Sequence, residues 1–300
     1  MGTAWLKTES GVLAEAGKAR FRPNIFLQVL IFIATVAVFL IGNQLLWETV
    51  FPRCEGQLFH LYILLPVIVL YMLYVRLVEG RSLYSMGFTS SGVAGRYLTG
   101  LAAGAGMMAA IVLLSAAAGG LKFDGISMTG TGLTLLLFAG GWIVQGMSEE
   151  VMFRGYFMVS AAGRAPLAVA VGLSAVLFSA LHFIERFIPL AFVNLTLYGI
   201  FAGLYFLRTD SIWGIAALHS AWNFTQCNIF GLKTSGMRSE AAVMSFSYGD
   251  NHLLNGGGFG PEGGLAATVV LLAGIAVLLF WPRKEKIKLK DNGKDYISRR

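Results

Sequence analysis

Polar residues along this chain fall in clusters, and eight apolar stretches lie between them, at 25–50, 59–78, 95–119, 131–162, 166–184, 190–208, 211–230 and 264–282. Most approach the roughly 20 residues that a helix needs to cross a hydrocarbon layer. Backbone groups there have no water to pair with, so a spanning segment must satisfy its own hydrogen bonds as a helix. The pattern therefore predicts an all-α fold, a polytopic integral membrane helix bundle with about eight transmembrane helices. The fourth stretch is too long for a simple crossing and reads as one tilted helix or as a span followed by a half-helix. Residues 1–24 read as a short cytoplasmic segment with Trp5, Leu6, Val12 and Leu13 on the apolar side of an interfacial helix. Residues 25–282 form a single transmembrane domain with a motif core at 131–230, and 283–300 a basic cytoplasmic tail. The longest connection, 231–263, runs into Asn-Gly-Gly-Gly-Phe-Gly-Pro-Glu-Gly-Gly and is expected to be flexible.

Composition sharpens this picture. The chain is 56% hydrophobic and 13% charged, against about 25% charged in a soluble domain. The first stretch is longer than a signal-peptide core and lacks a small-residue cleavage site behind it, so it is expected to be a retained span. Lysine and arginine then divide unevenly, seventeen against five, with Arg154 alone inside a helix. The rich side holds Lys7, Lys18, Arg20, Arg22, Arg76, Arg81, Arg96, Arg164, Arg208 and the tail; the poor side holds Arg53, Lys122, Arg186, Lys233 and Arg238. By the positive-inside rule both termini face the cytoplasm, and the protein is expected as a multi-pass component of the plasma (inner) membrane. Topology and anionic lipid account for the net charge of +7. Nucleic acid is not an expected partner, because the basic residues are split among membrane-adjacent loops. Cys54 and Cys227 make no metal or redox motif and pair only if the fold brings them together. The pairs Gly100/Gly104 and Gly199/Gly203 suit close helix approach. No internal repeat supports an inverted-repeat transporter.

Glu149 and Glu150 sit side by side within the fourth stretch, and Arg154 follows. A carboxylate at the centre of a membrane helix costs roughly 2.5–3.5 kcal/mol on insertion scales, so two adjacent ones need a reason. Glu150 and Arg154, four apart, share a helix face and can pair, whereas Glu149 is turned about 100° away. His182 ends the fifth stretch, and His219 and Asn223 are four apart on the seventh. The plain structural alternative is a helix end at the membrane surface for the first motif and interhelical hydrogen bonds for the others. Depth allows more than that. From the cytoplasmic ends of their stretches, Glu149, His182, His219 and Asn223 lie about 20, 24, 12 and 18 Å in. Three chemistries fit these residue types. A carboxylate and a histidine can activate water while a second histidine and an asparagine donate to an oxyanion. Glu149, His182 and His219 can instead make a two-His, one-carboxylate zinc site, although no His-Glu-x-x-His motif is present. The third is a proton or ion relay.

The residues Glu149-Glu150-Val-Met-Phe-Arg154, Phe178-Ser-Ala-Leu-His182 and His219-Ser-Ala-Trp-Asn223 resemble, in order, the signature of the CPBP family, the CAAX proteases and bacteriocin-processing enzymes, also called Abi. The resemblance covers 149–223, about a quarter of the chain. It implies an intramembrane endopeptidase of the glutamate type, in which Glu149 is general base and holds the attacking water with His182. His219 and Asn223 would form the oxyanion hole, and Glu150 with Arg154 would stabilise the site. No cofactor is implied by that mechanism; the family's earlier metalloprotease label makes zinc the alternative. A cavity opening to the cytoplasm or laterally to lipid would suit a peptide, lipidated or membrane-embedded substrate. The non-enzymatic alternatives are a membrane scaffold or bacteriocin immunity factor and, after these, an ion-coupled transporter.

Overall fold

The computed structural model describes residues 10–50, 56–183, 187–280, 287–291 and 294–298. Trp5, Leu6, Lys7, Arg53, Cys54, Arg186 and the start of the basic tail lie outside the described residues, so a Cys54–Cys227 pairing does too. Helix dominates. After a short α1 (Gly11–Ala16), each apolar stretch becomes helical: α2 (Ile25–Val50), α3 with α4 (Gln57–Tyr62, Leu65–Tyr74), α5 (Val93–Ala117), α6 with α7 (Gly132–Glu150, Val159–Ala162), α8 (Leu167–Leu181), α9 (Pro189–Thr209), α10 (Ile212–Phe224), and, past a four-residue α11 (His252–Asn255), α12 (Leu265–Phe280). Among the described residues three helices, Gln57–Glu79, Val93–Ala117 and Pro189–Thr209, are long and apolar enough to cross a membrane.

The helix boundaries follow from local chemistry. Thr131 caps α6 by accepting from the Thr134 amide, and Ser211 caps α10 by accepting from the Trp213 amide. Pro189 opens α9, where its missing N–H costs nothing, and Asp210 closes it in the left-handed region at φ 49°. The long fourth stretch resolves into a continuous helix rather than a span plus a separate half-helix. Its hydrogen bonding widens to a π pattern over Val151–Met158, directly after Glu150, and returns to α over Val159–Ala162. A second π stretch, Thr225–Ile229, directly follows Asn223's helix. Such widened turns are often found at functional sites.

Packing is tight where glycine allows it. A Cβ on Gly100 would lie 2.1 Å from the Gly214 carbonyl oxygen, and one on Gly104 would lie 2.1 Å from that of Leu218. These glycines of α5 thus seat α10 against it. Gly199 of α9 does the same against Ala175 of α8, at 2.6 Å. Beside them Phe32, Phe153 and Phe157 are almost fully buried, with the Phe32 and Phe157 ring centres 4.9 Å apart.

The loops gather at two ends. At one, Arg20 donates to the Leu77 carbonyl at 3.0 Å and Arg164 to that of Arg22 at 2.9 Å. There also Arg81 pairs with buried Glu79 at 2.5 Å and reaches Ser160 at 2.9 Å. Ser10 donates to Asp210 at 2.5 Å, tying α1 to the turn between α9 and α10.

The other end departs from the all-α expectation. Strand β1 (Leu121–Thr129) pairs antiparallel with β2 (Ala242–Tyr248), from Leu121↔Tyr248 to Thr129↔Ala242 with two irregularities. The glycine-rich connection is packed rather than free: Asn255, Phe259 and Glu262 are buried, and Asn255 donates to the carbonyls of Gly120 and Gly249 at 2.9 and 2.6 Å. Backbone groups of an extended segment need partners, and here the segment supplies them to itself and to β1. In the tail, β3 (Ile287–Asp291) and β4 (Lys294–Ser298) form a second antiparallel pair.

Candidate active site

Glu150 is the last α-helical residue before the π stretch, and no part of its side chain is exposed. Its Oε1 accepts from Arg154 at 3.1 Å and lies 2.9 Å from Nδ1 of His219. Arg154 is also fully buried, stacks over Phe178 at 4.7 Å from the ring centre, and donates to the Gly199 carbonyl at 3.4 Å. The pairing of Glu150 with Arg154 expected from their spacing is therefore made, and it reaches across to α10. A buried carboxylate is tolerable only with such partners.

Glu149 points into different surroundings, as its 100° offset requires. Its Oε1 accepts from Gln145 at 2.7 Å. Its Oε2 is buried, makes no hydrogen bond, and lies 3.7 Å from Nε2 of His219. Gln145 in turn accepts from the Asn223 amide at 3.0 Å, so one side chain spans from Glu149 to Asn223. His182 forms the C-terminal cap of α8, and its Nδ1 is 2.8 Å from the Phe178 carbonyl. A carbonyl only accepts, so Nδ1 carries the proton and Nε2 is left as the acceptor in the neutral ring.

Glu149, His182, His219 and Asn223 line one cavity of about 290 Å³. Glu149 and His182 also line an adjoining apolar cavity of about 180 Å³ with Val67, Tyr71 and Phe153. Four of the six sequence-derived residues thus converge directly, Glu149, Glu150 and Arg154 from one helix and His219 from another, and Asn223 joins them through Gln145. His182 shares the cavity with them. Among the described residues no three His, Cys, Asp or Glu side chains converge as a metal site, so Glu149, His182 and His219 do not form a ready ligand set.

Two contributors have no place in the motifs. Gln145 stands four residues before Glu149, at helix-face spacing that points to it. Glu262, from the glycine-rich connection, is 5% exposed and lines the same cavity. Its Oε1 accepts from the Ser235 amide at 2.6 Å and hydroxyl at 3.0 Å, and its Oε2 from the Trp222 indole at 3.4 Å. Burial pushes its carboxyl above the ordinary range, against the lowering effect of the Ser235 bonds. No sequence pattern marks it.

Residues 131–225 match the family model described as type II CAAX prenyl endopeptidase Rce1-like. The matched segment, under half of the chain, is similar to the CAAX protease family. The match holds all three motifs, and CAAX-type endopeptidases and the long apolar helices together mark the chain as an integral membrane protein. No curated protein and no solved structure matches the chain.

Proposed function

We propose that this protein is an intramembrane endopeptidase that hydrolyses a peptide bond with a water activated by Glu149 and His182. The observation that carries the reading is the cavity in which Glu149 presents a buried, unbonded carboxylate oxygen beside two histidines and an asparagine. In this reading Glu149 takes a proton from the water and His182 holds it through its acceptor Nε2. The second N–H of Asn223 and the protonated form of His219 donate to the oxyanion that develops on the scissile carbonyl. Gln145 keeps Glu149 and Asn223 in register. Glu150 and Arg154 brace His219 from behind, and neither touches the reacting atoms.

The eight helical stretches are read as eight spans of one transmembrane domain over 25–282, flanked by the cytoplasmic segments 1–24 and 283–300. Both termini are placed in the cytoplasm and the protein in the plasma membrane. Substrates are peptides or lipidated or membrane-embedded proteins. No cofactor takes part.

The test uses purified protein in nanodiscs and a fluorogenic farnesylated CAAX peptide. Wild type is expected to cleave, Glu149→Gln and His182→Ala to lose cleavage, and a strong zinc chelator to leave the wild-type rate unchanged. Loss of the wild-type rate on chelation would move the chemistry to a zinc ion. Undiminished function of Glu149→Gln in cells would sink the protease reading in favour of a scaffold.

A further inference from the structure

Glu262 comes to the cavity from the glycine-rich connection, on a segment that the fold holds without help from its carboxylate. Asn194 of α9 donates to the carbonyls of Glu262 and Gly264 at 2.9 and 2.8 Å, and Thr268 donates to Asn194 at 2.6 Å. The Gly236 amide donates to the Phe259 carbonyl at 2.9 Å. Gly260, at φ 110°, passes so close to Lys233 that a Cβ there would lie 2.1 Å from its carbonyl oxygen. A neutral side chain at position 262 would leave all of these contacts in place. The carboxylate itself is buried among neutral donors, the Ser235 amide and hydroxyl and the Trp222 indole. Among the described residues no ion pair joins it to a lysine or arginine. Burying a carboxylate without a cation is costly, and a cation that arrives beside it offsets the cost.

The surrounding wall suits such a cation. Trp142, Phe178, Tyr198 and Trp222 supply aromatic rings, Glu149 and Glu262 supply two carboxylates, and the described residues that line the cavity include no lysine or arginine. Arg154, over the Phe178 ring, is already paired with Glu150. Trp222 lies 5.7 Å from Tyr198 between ring centres and donates its N–H to Glu262, so two rings and a carboxylate share one corner. Aromatic faces beside a carboxylate hold ammonium and guanidinium groups. We propose that Glu262, with Trp222 and Tyr198, forms a subsite for a lysine or arginine side chain of the substrate close to the scissile bond. The substrate class rests on the protease reading; the preference for positive charge is measurable by binding alone. Burial holds the Glu262 carboxyl above its ordinary range, and positive charge on His182 acts to lower it. A substrate cation in the corner acts in that same direction and favours the ionised form.

The experiment uses the full-length protein in nanodiscs and pairs of farnesylated CAAX peptides that differ at a single position. Lysine is exchanged for norleucine, or arginine for citrulline, at each position flanking the scissile bond in turn. At one of these positions wild type is expected to cleave the charged member about tenfold faster, read as kcat/KM. In Glu262→Gln that preference is expected to disappear, and in Glu262→Asp, which keeps the charge, to survive in part. A purely structural role would slow both members alike and preserve the preference, which overturns the proposal, as does a wild type indifferent to charge. Fluorescence anisotropy of the same peptides on Glu149→Gln reads the subsite without cleavage. The charged member is expected to bind more tightly there, and the difference to vanish in the double variant Glu149→Gln, Glu262→Gln. Equal binding of both members overturns the subsite, whether or not the protein cleaves. Absence of wild-type cleavage with the binding preference intact counts against the protease reading and supports the subsite.

Discussion

Glu150 accepts from both Arg154 and His219 with no solvent contact, which makes it a brace rather than a free acid. That role was legible in the i,i+4 spacing, since helix geometry alone puts the two side chains on one face. Gln145 was legible on the same grounds but carries no charge to draw attention. Glu262 was not legible, since a carboxylate in a glycine-rich connection ordinarily faces water. Only the fold buries it against Ser235 and Trp222. Its carboxyl is raised by burial, so the folded state holds this proton to higher pH than the unfolded chain does. The folded state then binds more protons in that window, and stability must fall as pH rises from the ordinary carboxylate range through the raised value. Glu262→Gln, which cannot ionise, is expected to flatten the decline, by up to about 1.4 kcal/mol for each unit that the carboxyl is raised. Thermal unfolding of both proteins across pH in detergent checks this. An unchanged slope would mean that Glu262 ionises as freely in the fold as outside it.

At the scale of elements, the site is held by two helices that both widen to π hydrogen bonding just beyond their motif residues. The apolar pattern predicts helix throughout and has no signal for that change, because a π turn alters backbone pairing without altering hydropathy. Helix α10 owes its position to α5, where Gly104 meets the Leu218 carbonyl, next to His219. The glycine pairs were readable as sites of close approach, but the sequence did not show that Gly100 and Gly104 support the helix that carries His219 and Asn223. Gly104→Ala would force α5 and α10 apart, at a cost of about 1–3 kcal/mol as in other overpacked contacts. A fall in unfolding temperature is expected, together with slower peptide cleavage, as His219 shifts from Glu150. Gly106→Ala, whose added carbon meets nothing within 4 Å, serves as the control and should change neither. Equal behaviour of the two variants would remove the contact from the argument.

For the whole molecule, the end that carries the cavity is closed by strands 113 or more residues apart in sequence, as in Thr129↔Ala242. Amides of Ala242–Tyr248 are therefore expected to exchange slowly in hydrogen–deuterium exchange of the detergent-solubilised protein. Exchange as fast as in an unstructured loop would mean that this cap does not persist. Two alternating runs could have betrayed the strands: Leu121 and Phe123 alternate with Lys122 and Asp124 until Gly125 breaks the period, and Phe246 and Tyr248 alternate with serines. Short alternations beside eight strong helical signals are easily passed over. The sequence by itself determined the helical stretches, the basic asymmetry and the three motifs, because hydropathy, charge and helix spacing act over a few residues. Only the tertiary structure decided that Gln145 bridges two motifs and that Glu262 enters the cavity. Those are contacts between segments far apart along the chain, and they arise from which helices pack together.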